Sequence, residues 1–259
     1  MRSDQKLGLV LSGGGLRGIA HIGLIRLLEE LHIEPAYVAG TSAGAIVGAL
    51  YAAGYTAEAI LEFFLRTKLL DWKKYAFRKA GILDLQRYLP VLSEYLPDNR
   101  FDQLKKKLFV TRTNLETGAG EIISSGELHR NILASAALPI LFAPVEIDDT
   151  LYADGGIVNN FPVEPLLPHC STLIGMYVNP LAMKKKQQLK HTLAVVERAF
   201  HIGLANHSMP KFKFCNPMII PEKLRFHSLI DVRHSRDIFD IGYAAAMEHR
   251  PALLQLHNP

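Results

Sequence analysis

At 259 residues, with 49% hydrophobic and 21% charged side chains, the chain has a globular composition and is long enough for one large α/β domain or two small ones. A net formal charge of +4 is too weak to argue for nucleic acid, and none is expected as a partner, but it suits an anionic membrane surface. No apolar run approaches the ~20 residues needed to span a bilayer, and the short apolar run near the N-terminus is too glycine-bounded for a signal-peptide core, so a cytoplasmic chain is expected. Cys170 and Cys215 lack metal-ligand spacing and read as reduced core thiols.

In chain order, residues 6–11 form an apolar, branched run that predicts a buried strand. Ser12-Gly13-Gly14-Gly15-Leu16-Arg17-Gly18 follows, and then Ile19, Ile22, Leu24, Leu27, Leu28 and Leu31 recur at helical spacing. Glu34-Pro35 ends that unit, and Tyr37-Val38-Ala39 is the next strand. Strand, glycine loop, helix and strand predict a parallel sheet with a right-handed crossover. The glycine loop and the turn after Ala39 then share the carboxyl edge of the sheet, where ligand sites form.

Residues 43–53 read as a helix stopped by Gly54, and another helix opens at Thr56. Lys68, Lys73, Lys74, Arg78 and Lys79 interleave with Trp72, Tyr75 and Phe77. Two readings stand for this run: a helical excursion with its aromatics packed inward, or a lid against an anionic lipid surface. A helix is expected over 84–95, two strands over 107–113 and 121–124 joined by a glycine-bearing turn, and a helix over 126–137. Short strands are expected at 144–147 and 151–154, the second ending in a tight turn at Gly155-Gly156. A strand at 172–178, a lysine-rich loop at 183–190, a long helix, a strand at 214–220 and a helix at 235–249 complete the reading. With no repeat or linker, one domain over 1–259 is expected.

Gly40-Thr41-Ser42-Ala43-Gly44 has the form G-x-S-x-G. Small residues at Gly40 and Gly44 let strand and helix backbones approach, and the hydroxyl of Ser42 is left at the tip of the turn, beside a helix N-terminus that favours negative charge. A serine nucleophile also needs a base and preorganised donors for the oxyanion. Gly13, Gly14 and Gly15 can present bare N–H groups, with Arg17 adding positive charge. Gly13-x-Gly15-x-x-Gly18 also fits a dinucleotide fingerprint, but its required acid has only Glu30 or Glu34 as candidates, and neither ends a second strand. His169 and His207 are the least implausible bases for a triad, while Asp154, between an apolar strand and Gly155-Gly156, is a candidate of a different kind.

The ordered motifs Gly13-Gly14-Gly15-Leu16-Arg17-Gly18, Gly40-Thr41-Ser42-Ala43-Gly44 and Asp154-Gly155-Gly156 resemble the patatin-like phospholipase family. Ser135-Ala136-Ala137-Leu138-Pro139 and Asn160-Phe161-Pro162 resemble its accessory blocks, and the likeness spans residues 7–165. It implies a three-layer α/β/α sandwich with a mostly parallel central sheet. It implies hydrolysis of acyl esters of phospholipids or related lipids through a serine–aspartate dyad, with Ser42 as nucleophile and Asp154 as base. The Gly13–Gly15 amides, with Arg17 and Gly18 completing the motif, would form the oxyanion hole, and neither metal nor organic cofactor is implied. An acyltransferase on the same elbow, or a nucleotide-binding module on the glycine loop, are the alternatives. A carboxylate near ~3.9 is a weak base at neutral pH, so a buried, water-poor Asp154 within reach of Ser42 is expected. Leu16, Ile46, Leu138, Ile140 and Phe142 are the expected walls of an acyl trough.

Overall fold

A computed structural model describes residues 6–67, 84–139, 141–229 and 232–256. The basic aromatic run at 68–79 and the wall residue Ile140 lie outside the described residues. Strand β1 (Leu7–Leu11) leads through a 3-10 turn (Gly15–Ile19) into helix α1 (Ala20–Glu30) and strand β2 (Tyr37–Thr41). β1 and β2 pair in parallel, with Leu9 opposite Val38 and Leu11 opposite Gly40, so both strand ends point the same way. Helix α2 (Ala43–Ala53) starts directly after Ser42 and stops at Gly54, whose φ of 96° is left-handed. Helices α3 (Ala57–Thr67) and α4 (Leu89–Tyr95) follow, and then the hairpin of β3 (Lys107–Asn114) and β4 (Gly120–Ile123). Helix α5 (His129–Ser135), strands β5 (Val145–Ile147) and β6 (Thr150–Asp154), and the single turn α6 (Gly156–Asn159) come next. Strand β7 (Thr172–Met176), helix α7 (Thr192–Ser208), strand β8 (Met218–Ile219) and helices α8 (Ser235–Glu248) and α9 (Arg250–Gln255) close the chain.

The sheet runs β5-β6-β3-β2-β1-β7-β8, with β4 also on β3. The pairs from β3 through β2, β1 and β7 to β8 are parallel, and only β3–β4, β3–β6 and β5–β6 are antiparallel. Alternation along the strands divides the core. Leu9, Leu11, Val38, Leu108, Val110, Ile174 and Met176 face the side that carries α1, α2, α3, α5 and α8. Val10, Ala39, Phe109 and Leu173 face the other side, where Phe161, Leu166 and Phe212 cover them. The result is the three-layer arrangement.

The register on β3 brings two distant segments together. β4 occupies one edge of β3 from Val110 to Thr113, and β2 occupies the other from Lys107 to Thr111. β6 pairs with Arg112–Asn114, so it must continue along the edge that β2 has just vacated. It runs against β2. Thr41 at the end of β2 pairs with Thr111, and Asp154 at the end of β6 pairs with Arg112. The two strands meet head-on, which carries Ser42 and Asp154 to one place. Arg112 ties this junction. Its guanidinium bonds Glu121 of β4 at 2.7 Å and Asn131 of α5 at 2.6 Å, and it lies 3.7 Å from the ring centre of Tyr152 in β6.

Gly155 makes the expected turn after Asp154, and with φ −61° it leads straight into α6. Its glycine also meets a steric demand, because a Cβ there would sit 2.1 Å from the Thr111 carbonyl oxygen. One expectation is corrected. The strand expected over 214–220 shrinks to β8, since residues up to Phe214 wind into a 3-10 helix and Pro217 has no N–H for a ladder. The expected terminal helix is α8, and beyond His249 a further short helix, α9, follows with a proline in its first turn.

Candidate active site

Ser42 sits between β2 and α2 with φ 52° and ψ −122°, a conformation a side-chain-bearing residue holds only under constraint. The constraint is visible. A Cβ on Gly40 would lie 2.3 Å from the Gly44 carbonyl oxygen, and one on Gly44 would lie 2.3 Å from that of Leu11. The three backbones are in contact, and only glycines fit between them. The Ser42 N–H donates to Ser135 Oγ at 2.8 Å, and Thr41 Oγ1 donates to the Asn159 carbonyl at 2.9 Å. Helix α5 and the end of α6 thereby hold the elbow from both sides.

Asp154 is 3% exposed. Burial pushes its carboxyl up to about 6, against hydrogen bonds from the Ser42 hydroxyl and the Gly156 N–H that favour the carboxylate. The Gly156 bond is 2.7 Å. Backbone bonds fix the aspartate too: its N–H reaches the Ala137 carbonyl at 3.0 Å, and that of Gly155 reaches Ser135 at 3.2 Å. Ser135 thus serves both the elbow and the aspartate. In the sequence it stood only as part of an accessory block, and no spacing rule singled it out.

The glycine loop lies beside them. Gly13 gives its N–H to the Asn160 carbonyl at 3.2 Å and its carbonyl to Asn179 Nδ2 at 2.6 Å. The Leu16 N–H is taken by the Leu229 carbonyl at 2.8 Å. Among the described residues the N–H groups of Gly14 and Gly15 have no partner, and both residues line the cleft above Ser42. The Arg17 side chain turns away from that cleft, and Nε and Nη2 donate to the His227 carbonyl at 2.9 and 2.7 Å. Gly18 is a packing contact, since a Cβ there would meet Ala43 Cβ at 2.5 Å. Of the five loop residues, Gly14 and Gly15 offer free amides, while Gly13, Arg17 and Gly18 seat the loop.

A cleft opens over Ser42 and Asp154. Leu16, Ile46, Leu138 and Phe142 line it, joined by Phe64 and Phe200. Asn160 Nδ2 and Asn179 Oδ1 are buried without a partner among the described residues, and both side chains reach the cleft. Asn179 follows the strand β7 and carried no signal in the sequence. Neither candidate histidine is here. His169 stacks on Tyr37 at 5.2 Å, at the start of β2 and so at the opposite end of the sheet, and His207 is exposed in the last turn of α7. No histidine lines the cleft among the described residues. His21 lies beneath the loop, with Nε2 2.8 Å from the Ser12 carbonyl and burial pushing its ring down to about 4, so it is neutral. Glu30 bonds Arg26 and Tyr243 instead of marking a ribose site, and β2 ends in Thr41 where a dinucleotide fold would carry an acid. No group of three His, Cys, Asp or Glu suited to a metal occurs among the described residues.

A family model described as patatin-like phospholipase matches residues 9–167, well over half of the chain. The chain belongs to the patatin-like phospholipase family. An uncharacterized NTE family protein of Mycobacterium bovis is 33% identical over 166 residues, 63% of this chain and 46% of that protein. The lysophospholipase NTE1 of Saccharomyces cerevisiae is 34% identical over 191 residues, 68% of this chain and 11% of that protein. The chain therefore spans about half the mycobacterial relative and about a tenth of the yeast one. The crystal structure of VipD from Legionella pneumophila covers 98% of this chain and 67% of VipD, with a TM-score of 0.59 and 19% identity, a likeness of fold. The patatin-like segment holds the loop, elbow, Asp154 and Asn160, while Asn179, Phe200 and Leu229 complete the cleft from beyond it.

Proposed function

We propose that this patatin-like chain is a lipid acyl hydrolase in which Ser42 is the nucleophile and Asp154 the base. The observation that carries the reading is a buried aspartate, hydrogen-bonded to the elbow serine, at the floor of an apolar cleft. In its carboxylate form Asp154 takes the Ser42 proton as Oγ attacks the ester carbonyl carbon. The charge that develops on the carbonyl oxygen meets the free Gly14 and Gly15 amides and the N-terminus of α2. Asp154 returns the proton to the departing alkoxide, leaving an acyl-serine. A water, deprotonated by the same carboxylate, then releases the fatty acid. The walls suit an acyl chain, and the lysophospholipase name of the yeast relative makes phospholipids and lysophospholipids the first substrates to try. No helix among the described residues is long and apolar enough to cross a membrane, and the proposed access to lipid is by peripheral contact.

The test is a phospholipid panel with product masses in ¹⁸O-labelled water, beside Ser42→Ala and a fluorophosphonate probe. Labelled fatty acid and a probe adduct on Ser42 are expected from the native chain, and neither from Ser42→Ala. Undiminished turnover by Ser42→Ala overturns the assignment, and acyl transfer to an acceptor without ¹⁸O uptake would make the chain a transferase.

A further inference from the structure

A second cavity shares no lining residue with the cleft. The loop is divided between the two. Gly14, Gly15 and Leu16 line the cleft, and the Arg17 side chain lines the second cavity. Helix α7 is shared in the same way. Phe200 and Leu204 face the cleft, whereas Glu197, Arg198 and His201 face the second cavity. Lys184 and Arg225 complete its charged lining.

The charge there is unbalanced. Arg17 is 8% exposed, yet its guanidinium meets only the His227 carbonyl and forms no ion pair among the described residues. Burial lowers its affinity for the proton, and Glu197 acts on it only at a distance. A buried cation without an adjacent anion is costly. Lys184, which is exposed, and Arg198, which is half-buried, also have no carboxylate within ion-pair distance among the described residues, and Arg225 is already matched by Glu222. Glu197 is the one acidic residue in the lining. His201 adds a second sign of vacancy. Its Nε2 is buried with no partner, and burial together with Arg17, Arg198 and Lys184 pushes the ring down to about 4. A neutral ring at that position can donate a hydrogen bond to an oxyanion.

We propose that this cavity is a phosphate-binding site, distinct from the catalytic cleft, in which Arg17, Lys184, Arg198 and the His201 imidazole hold the oxygens of the anion. Phosphate chemistry fits better than a lone carboxylate, because the donors converge from a loop, a helix and the 183–190 segment, so that several oxygens can be met at once. A bound phosphate also compensates Arg17, whose bond to His227 pins the glycine loop. The phosphate can be a free ion or the headgroup of an anionic lipid.

The experiment uses the full chain in a Ser42→Ala background, so that lipid is not consumed and the outcome does not depend on the hydrolase reading. Thermal melts in inorganic phosphate are compared with chloride at equal ionic strength. A saturable rise of about 2–4 °C is expected at phosphate well above half-saturation, and its loss in Lys184→Ala/Arg198→Ala. No rise, or an equal rise in a double variant whose melt in chloride matches the parent, overturns the site. If the double variant does not fold, Lys184→Gln alone must shift half-saturation several-fold, and an unchanged value overturns the proposal. Flotation with phosphatidate and phosphatidylcholine vesicles separates the sources. Capture by phosphatidate that inorganic phosphate reverses assigns the site to a headgroup. Phosphate-induced stabilisation without such capture assigns it to the free ion.

Discussion

As the proposed base, Asp154 has to be charged to accept a proton, yet it is held where charge is costly. With its carboxyl pushed from 3.8 up to about 6, the native chain keeps a proton that the unfolded chain has released anywhere between those values. Stability therefore falls as pH rises from about 4 to 6 and stays lower above that. The shift corresponds to about 3 kcal/mol. Asp154→Asn removes the buried charge while keeping an acceptor for the Gly156 N–H. It is expected to raise unfolding free energy by about 2 kcal/mol at pH 8, with the gain vanishing at pH 4, in urea titrations at both values. The same substitution should lower kcat/KM by a factor on the order of 10³. For the unsubstituted chain, kcat/KM should climb with pH and level off above about 6, and a profile flat through that range would contradict the assigned base. Ser42 carries strain of its own, at φ 52°. Ser42→Gly and Ser42→Ala should be equally inactive, but the glycine variant should be more stable by about 1 kcal/mol, read from their melts.

At the scale of elements, the site depends on how closely backbones approach. Gly44 belongs to α2, and a Cβ there would intrude on Leu11 of β1 at 2.3 Å. Gly44→Ala should cost more than 3 kcal/mol, because neither a strand carbonyl nor a helix can yield. Gly203 in α7 has nothing within 4 Å of the same added atom. Gly203→Ala should instead stabilise by about 0.5–1 kcal/mol through helix propensity and unfolded-state entropy. Measuring the pair by denaturant unfolding separates a glycine that the packing requires from one that it merely tolerates.

Over the whole molecule, two cavities share one loop and one helix. The apolar cleft is lined by Gly14, Gly15 and Leu16 and the cationic cavity by Arg17, so a lipid's acyl chain and a phosphate anion would address neighbouring residues of the same glycine segment. The net charge of +4 is small, and the proposed peripheral contact with lipid would draw on the basic run at 68–79 as well. Sedimentation should show tighter binding to anionic than to phosphatidylcholine vesicles, with the difference shrinking as salt is raised from 50 to 500 mM. Equal binding to both would remove the electrostatic contribution.

Much of the fold was legible in the chain because its signals are local. The first βαβ unit follows from an apolar run, a glycine loop and a helical repeat over residues 7–41, and α2 begins and ends where Ser42 and Gly54 direct. The glycine loop, the elbow and Asp154 stood out because each is a short motif of residues with special backbone demands. Partnership is decided elsewhere. That Asp154 meets Ser42 depends on β6 taking the edge of β3 that β2 leaves free, a matter of register between strands far apart in sequence. The role of Ser135, and Asn179 altogether, came into view only when packing placed their polar atoms against the elbow and the loop. Arg17 shows the division most clearly. Its place in the motif was plain from the sequence, but the direction of its side chain, toward His227 and a second cavity, was settled by a segment more than 200 positions away. Backbone demands are written in neighbouring residues, whereas burial, hydrogen-bond partnership and the cost of charge exist only once distant segments have closed around a side chain.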